Sequence, residues 1–219
     1  MRSQPPFRAR SLKIGSWIRL GWAFVPATAL LAVAGPAQSQ SAKSDMAASQ
    51  AAKSAADAPD TDPLMAEIER FRAIDAEAFA AKDYARAAEA SARVLALAEP
   101  LGDDSFVLAR ALNDHALNLM FAGKPVDAEP IMRRALTLYA GQLGADHPET
   151  LKAEANLGAV LFNAGQIEQA ATAYRTALDG FRAKLGIDDP TTRDAAANLV
   201  DMLYRLARRD QAIPVQAEL

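Results

Sequence analysis

The chain of 219 residues holds two histidines, and each follows an aspartate: Asp114-His115 and Asp146-His147. An imidazole next to a carboxylate is what acid–base catalysis and metal binding both use. Either chemistry needs several groups converging on one point. No second ligand set is spaced to meet either histidine. Cysteine is absent, which removes thiolate metal sites, cysteine nucleophiles and disulfides. Asp103-Asp104 and Asp188-Asp189 read as helix caps rather than acid–base dyads. No glycine-rich phosphate loop and no nucleophile elbow is present. The expectation is therefore no catalytic residue, no metal ligand and no cofactor. His147 is expected to cap a helix beside Pro148, and His115 to sit at a framework position between helices.

A repeat must position these residues. The stretch from Leu143 to Leu178 reads as two amphipathic helices joined by a tight Asn163-Ala164-Gly165-Gln166 turn. Leu101-Gly102, Leu143-Gly144 and Leu185-Gly186 are spaced by 42 residues. So are Gly123 and Gly165, Pro148 and Pro190, and Asn156 and Asn198. A fixed period in this range marks a stack of helical hairpins, each burying its apolar face on the next. Pro148 suits a first helical turn, where its missing N–H is not needed, and Glu149 complements the helix dipole. Asp189 is a good N-cap, Gly144 and Gly186 close the preceding helices, and Asp103-Asp104-Ser105 supplies caps to the second unit.

Counted from Leu151, the residues Leu157, Gly158, Leu161, Ala170, Tyr174 and Ala177 fall on the framework of a tetratricopeptide repeat. Gly158 is expected to face Ala170, two small side chains allowing close helix approach. The 42-residue period and the LGADHPETL…ANLGAVL wording resemble the longer repeats of kinesin light chains and their bacterial relatives. The resemblance implies an all-α fold, a right-handed α-solenoid of about 3.5 such hairpins. The units run over residues 62–102, 103–144, 145–186 and 187–219. In the second, Ala116, Leu119, Gly123, Ala128, Met132 and Ala135 take the framework positions. In the first, Asp75 replaces Gly158 and Lys82 replaces Gly123. The fourth begins well, with Ala197, Asn198, Leu199, Leu203, Tyr204 and Ala212, but has Pro214 in its second helix and ends at Leu219. Leu199, Leu203 and Leu206 are thus expected to lack cover and to dock on a second copy or another protein.

In this fold the first helix of each hairpin lines the concave side. Residues at i, i+4, i+7 and i+11 share one helical face. That face carries Arg110, Asp114, Leu117 and Phe121 in the second unit, and Lys152, Asn156, Ala159 and Asn163 in the third. It carries Asp194, Asn198, Asp201 and Arg205 in the fourth, and Glu69, Ala73, Ala76 and Ala80 in the first. By the resemblance, Asn156 and Asn198 hold the backbone of an extended peptide. An amide both donates and accepts, so it grips a peptide unit without reading its sequence. Arg110 and Lys152 would hold an acidic group beside it. The implied function is a non-enzymatic scaffold for a protein or peptide partner. The alternatives are a self-assembling subunit of an envelope complex, a homo-oligomer through the C-terminal unit, or an orphaned regulatory module.

The first 39 residues differ in kind. Five basic residues precede an apolar run from Leu20 to Ala34, and no acid occurs before Asp45. Fifteen residues broken by Pro26 are too few for a membrane span, which needs ~20. Ala37-Gln38-Ser39 gives the small-x-small cleavage pattern, so residues 1–39 read as a signal peptide. Residues 40–61, rich in alanine and serine, read as a flexible linker. Removing the leader takes away five basic and no acidic residues, moving the net charge from −3 to −8. An acidic chain with no basic cluster argues against nucleic acid and anionic lipid as partners. The expected location is the periplasm or the outside of a bacterium. N-terminal sequencing of the exported protein should find it starting near Gln40; an intact Met1 in the membrane fraction would show an anchor instead.

Overall fold

The computed structural model describes residues 62–219. The expected leader and linker lie outside the described residues. Among those described there are eight α-helices and no strand. The helices are α1 (Pro63–Ala80), α2 (Tyr84–Ala98), α3 (Phe106–Phe121), α4 (Pro125–Leu143), α5 (Pro148–Asn163), α6 (Ile167–Leu185), α7 (Pro190–Arg205) and α8 (Arg209–Gln216). A single 3₁₀ turn, Glu99–Leu101, follows α2. Consecutive helices pair into hairpins, and the hairpins stack through α2 on α3, α4 on α5 and α6 on α7. The result is the all-α solenoid that the period implies.

One turn is used four times. In each hairpin the chain leaves the first helix through a residue with positive φ: Lys82 at 60°, Gly123 at 80°, Gly165 at 80° and Ala207 at 57°. The next residue's N–H returns to a carbonyl five positions back, as Asp83 to Ala78, Lys124 to Leu119, Gln166 to Leu161 and Arg208 to Leu203. This is the Schellman closure, which satisfies the last orphan carbonyls of the helix. Glycine meets it without steric cost; Lys82 and Ala207 show that the surrounding packing imposes it anyway.

The helix starts are capped as the sequence suggests in two cases. Glu149 N–H donates to His147 Nδ1 at 3.2 Å, and Thr191 N–H donates to Asp189 Oδ1 at 2.8 Å. The second unit differs from expectation. Ser105 is the N-cap of α3 but makes no side-chain cap bond. Asp103 turns away instead: its carboxylate accepts from Arg134 Nη2 at 3.0 Å and its carbonyl from Gln142 Nε2 at 2.8 Å. Those contacts tie the loop to α4, so the aspartate serves the hairpin rather than the helix start.

Within the third hairpin the two helices interlock through glycines on opposite sides. A Cβ added to Gly158 on α5 would stand 3.1 Å from three carbons of the Tyr174 ring on α6. A Cβ on Gly180 of α6 would stand 2.3 Å from a Leu151 methyl on α5. Gly158 therefore seats an aromatic ring. One period earlier, the Leu151–Gly180 pair is replaced by Ala109 and Leu138, grouped with Tyr139 and Ala153 in a small side cluster. Large and small have changed helices while the filled volume is kept, the kind of exchange a core tolerates best.

The C-terminal unit is better covered than expected. Leu199 and Leu203 are fully buried and Leu206 is partly so. Their cover is α8, which buries Ala212 and Val215. Pro214 does not stop this helix: it is the sixth helical residue, as Pro130 is in α4. Its ring removes one N–H but its fixed φ is helical, so the loss is a single ladder bond. Ile213 remains 60% exposed, and an open depression between α6 and α8 is lined by Arg175, Leu178, Arg182, Gln211 and Val215. No helix of the described residues is long and apolar enough to cross a membrane.

The seated ring gives a ranked expectation. Gly158→Leu should cost roughly 1–3 kcal/mol or more, since Tyr174 is buried and cannot yield. Leu161→Ala should cost roughly 2–5 kcal/mol through the cavity it leaves. Asn163→Ala, on an exposed side chain, should hardly move the melt. Thermal melts that place Gly158→Leu level with Asn163→Ala would show that the ring is not held there.

Candidate binding face on the first helices

The first helices stand beside one another, and polar side chains join them at a constant offset. Asn118 Nδ2 of α3 donates to Asp75 Oδ1 of α1 at 2.7 Å, within the buried interior. Asn156 Nδ2 of α5 donates to Asn113 Oδ1 of α3 at 2.9 Å. Asn163 Nδ2 lies 3.5 Å from Met120 Sδ. All three pairs are separated by 43 residues, one more than the period of 42. Since the equivalent turn residues Lys82 and Gly123 are 41 apart and Gly123 and Gly165 are 42 apart, α3 meets α1 with a slip of two residues and α5 meets α3 with a slip of one.

The residues expected on the face fall into two groups. The charged ones are paired along their own helices. Arg110 Nε is 3.9 Å from Asp114 Oδ2, Lys152 Nζ is 2.7 Å from Glu149 Oε1, and Asp201 Oδ2 accepts from Arg205 Nε at 2.9 Å. The amides lie deeper. Asn156 and Asn198 are each only 4% exposed, while Asn163 is exposed and bonds the Ala159 carbonyl at 2.8 Å. Asn156 Oδ1 is buried, and no donor among the described residues reaches it. From that atom a relay runs outward: Asn156 donates to Asn113, and Asn113 Nδ2 donates to Asp114 Oδ1 at 3.1 Å.

Charges from three hairpins converge near Tyr139. Burial pushes its hydroxyl well above the ordinary tyrosine range; Asp114 and Glu149 push the same way, and Arg110 and Arg72 oppose. Burial lowers the Arg110 value, with Asp114 opposing and Arg72 adding to the fall. Arg72 Nη1 in turn donates to Glu69 Oε1 at 2.7 Å. Sequence reasoning found Arg110 and Asp114 but passed over Asn113, Asn118, Arg72 and Tyr139. The signal for Asn113 and Asn118 was the offset of 43, visible only once the slip between helices is known.

The nearest approach to a nucleophile and base is Ser91 Oγ at 3.0 Å from His115 Nδ1. Ser91 is 1% exposed and also donates to the Ala88 carbonyl at 3.1 Å, so no substrate reaches it. Among the described residues, no group of three or more histidine, aspartate or glutamate side chains is placed to hold a metal ion.

Paired helices, a shared Schellman turn and side-by-side first helices define an all-α hairpin solenoid. The chain matches the Tetratricopeptide repeat family over residues 107–183 and 149–218, half of its length, and belongs to that family. Its structure is similar to a crystal structure of a candidate kinesin light chain of Podosopora anserina with nearly identical TPR-like repeats. The TM-score is 0.61 at 16% identity, over 69% of this chain and 71% of that one. It is also similar to BtubC (BKLC) from P. vanneervenii, with TM-score 0.61 at 18% identity, over 81% of this chain and 69% of that one. No curated protein matches it. Membership points to a protein–protein interaction scaffold, and the family is generally non-enzymatic.

The buried Asp75–Asn118 bond should hold the first hairpin to the second. Asn118→Ala should cost about 1.5–3 kcal/mol, the range for a hydrogen bond to a charged group. A double-mutant cycle with Asp75→Ala, read by denaturant unfolding, should return a coupling above about 0.5 kcal/mol. Strict additivity would mean that the two side chains act separately.

Proposed function

We propose that this chain is a non-enzymatic scaffold, exported to the bacterial envelope, that holds an extended peptide or partner segment across the concave face of its first helices. The observation that carries the reading is Asn156: a buried amide whose nitrogen is spent on Asn113 and whose oxygen has no donor among the described residues. A buried acceptor left unpaired is costly, and a peptide N–H is the group that would complete it. Asn198 lies one period on at the same depth. Around them Arg110, Asp114, Lys152, Asn163 and Asp201 offer charge and amide groups. The Lys152–Glu149 and Asp201–Arg205 pairs each lie along one helix near the surface, and such pairs are worth only a few tenths of a kcal/mol, so a ligand can take their place at little cost. The leader composition supports export, and the acidic balance argues against nucleic acid. The reading does not rest on self-association through the fourth unit, where Leu199 and Leu203 are buried within the chain.

Capture from an envelope extract tests the reading when paired with a variant of the face. Asn156→Ala with Asn198→Ala should weaken capture at least about tenfold while the melting temperature changes by a few degrees at most, because a typical hydrogen bond contributes about 1 kcal/mol net. Capture that survives both changes moves the site off this face.

A further inference from the structure

His115 is the one imidazole placed at a joint between hairpins. It projects from α3 against α2, half-buried, with Nδ1 3.0 Å from Ser91 Oγ. With the Ser91 hydroxyl hydrogen engaged by the Ala88 carbonyl, the imidazole hydrogen is assigned to Nδ1, and the charge of the ring is decided at Nε2. One period later the same position holds Leu157, 3% exposed in the apolar core. The stack therefore asks for an uncharged group here, and histidine satisfies that demand in only one of its two protonation states.

Of the groups facing the ring, Asp75 and the Ala88 carbonyl favour a cation, and burial outweighs both. From α1 comes Asp75, already bonded to the Asn118 amide at 2.7 Å. From α2 come the Ser91 hydroxyl and the Ala88 carbonyl. On α3 itself, Asp114 is engaged by Asn113 and Arg110. On α4, Arg133 pairs with Glu129, Arg134 pairs with Glu99 and Asp103, and Asp127 is exposed.

We propose that His115 makes the joint between the first and second hairpins acid-sensitive: a proton taken up by this ring loosens α1 and α2 from the rest of the stack. Burial pushes the His115 value below the ordinary 6.5, and Asp75 and the Ala88 carbonyl oppose this with smaller effect. The open joint restores the ordinary value. The stabilisation is thus present above about pH 6.5 and is lost as pH falls from there toward the lower folded value. Within that window the opening constant rises by up to about tenfold per pH unit.

Hydrogen exchange of the whole chain between pH 7.5 and pH 5, corrected for the chemical rate, reads this directly. Exchange in α1 and α2 should quicken on acidification relative to α5 and α6. His115→Leu, which installs the residue found one period later, should abolish the difference. His115→Gln, polar but without titration, should give the same flat profile, which covers the case where the leucine variant fails to fold. In NMR the His115 ring of the wild type should titrate below 6.5. Unchanged acid sensitivity in the variants, equal opening of all hairpins, or a flat wild-type profile would each overturn the proposal. His147 caps α5 and is untouched in both variants, so any effect of its own stays in the third hairpin.

Discussion

A pair of short helices has one apolar face that it cannot cover by itself, and every feature of this protein follows from that shortage. Each hairpin must borrow its neighbour's surface. The borrowing works only in a fixed register, so the joints are the exacting part of the structure. Inside the third hairpin the register is set by Gly158 under Tyr174 and Gly180 against Leu151. Between hairpins it is set by a small slip, two residues where Asp75 meets Asn118 and one where Asn113 meets Asn156.

The three joints are built from different materials. The first is polar inside, with Asp75, Ser91, Asn118 and the half-buried His115. The second mixes an apolar interior with the Asn113–Asn156 bond. At the third, α7 presents Ala195, Ala196, Leu199 and Leu203, all buried, beside two uncharged polar residues, Thr192 and Asn198. Polar interiors hold their shape only while every group is satisfied, whereas apolar ones tolerate small displacements. The gradient therefore makes the first hairpin the most conditional part of the stack.

The repeat was legible because its signals are steric. A glycine at a left-handed turn and a proline at a helix start leave marks that survive drift elsewhere. The framework residues of the third unit were legible for the same reason. Lys82 and Ala207 show where such marks fail: the turn is kept, yet the residue type gives no sign of it. Tyr174 was legible as a framework residue near Gly158, but not that its ring lies directly over the glycine, because a spacing along one helix does not say which residue of the facing helix lies above it. The capping expectation at Asp103 failed because a carboxylate takes whichever donor arrives, and Arg134 comes from another helix. Pro214 misled because the usual rule concerns helix interiors, while here one missing bond falls in an eight-residue helix beside solvent. On the face, the side-chain types at Asn156 and Asn198 were legible but their depth was not, since burial depends on how closely the neighbouring first helix comes.

The stacking has a mechanical corollary. Among the described residues, most contacts run between helices next to each other in sequence, and the rest reach no further than the neighbouring hairpin, as α1 to α3, α3 to α5 and α4 to α6. No strut links the first hairpin to the last, so tension applied at the two ends is carried in series through each joint in turn. Such a body stretches like a spring and gives way one link at a time, starting with the weakest. An extended molecule of this kind can absorb a displacement between two anchored partners without unfolding as a whole.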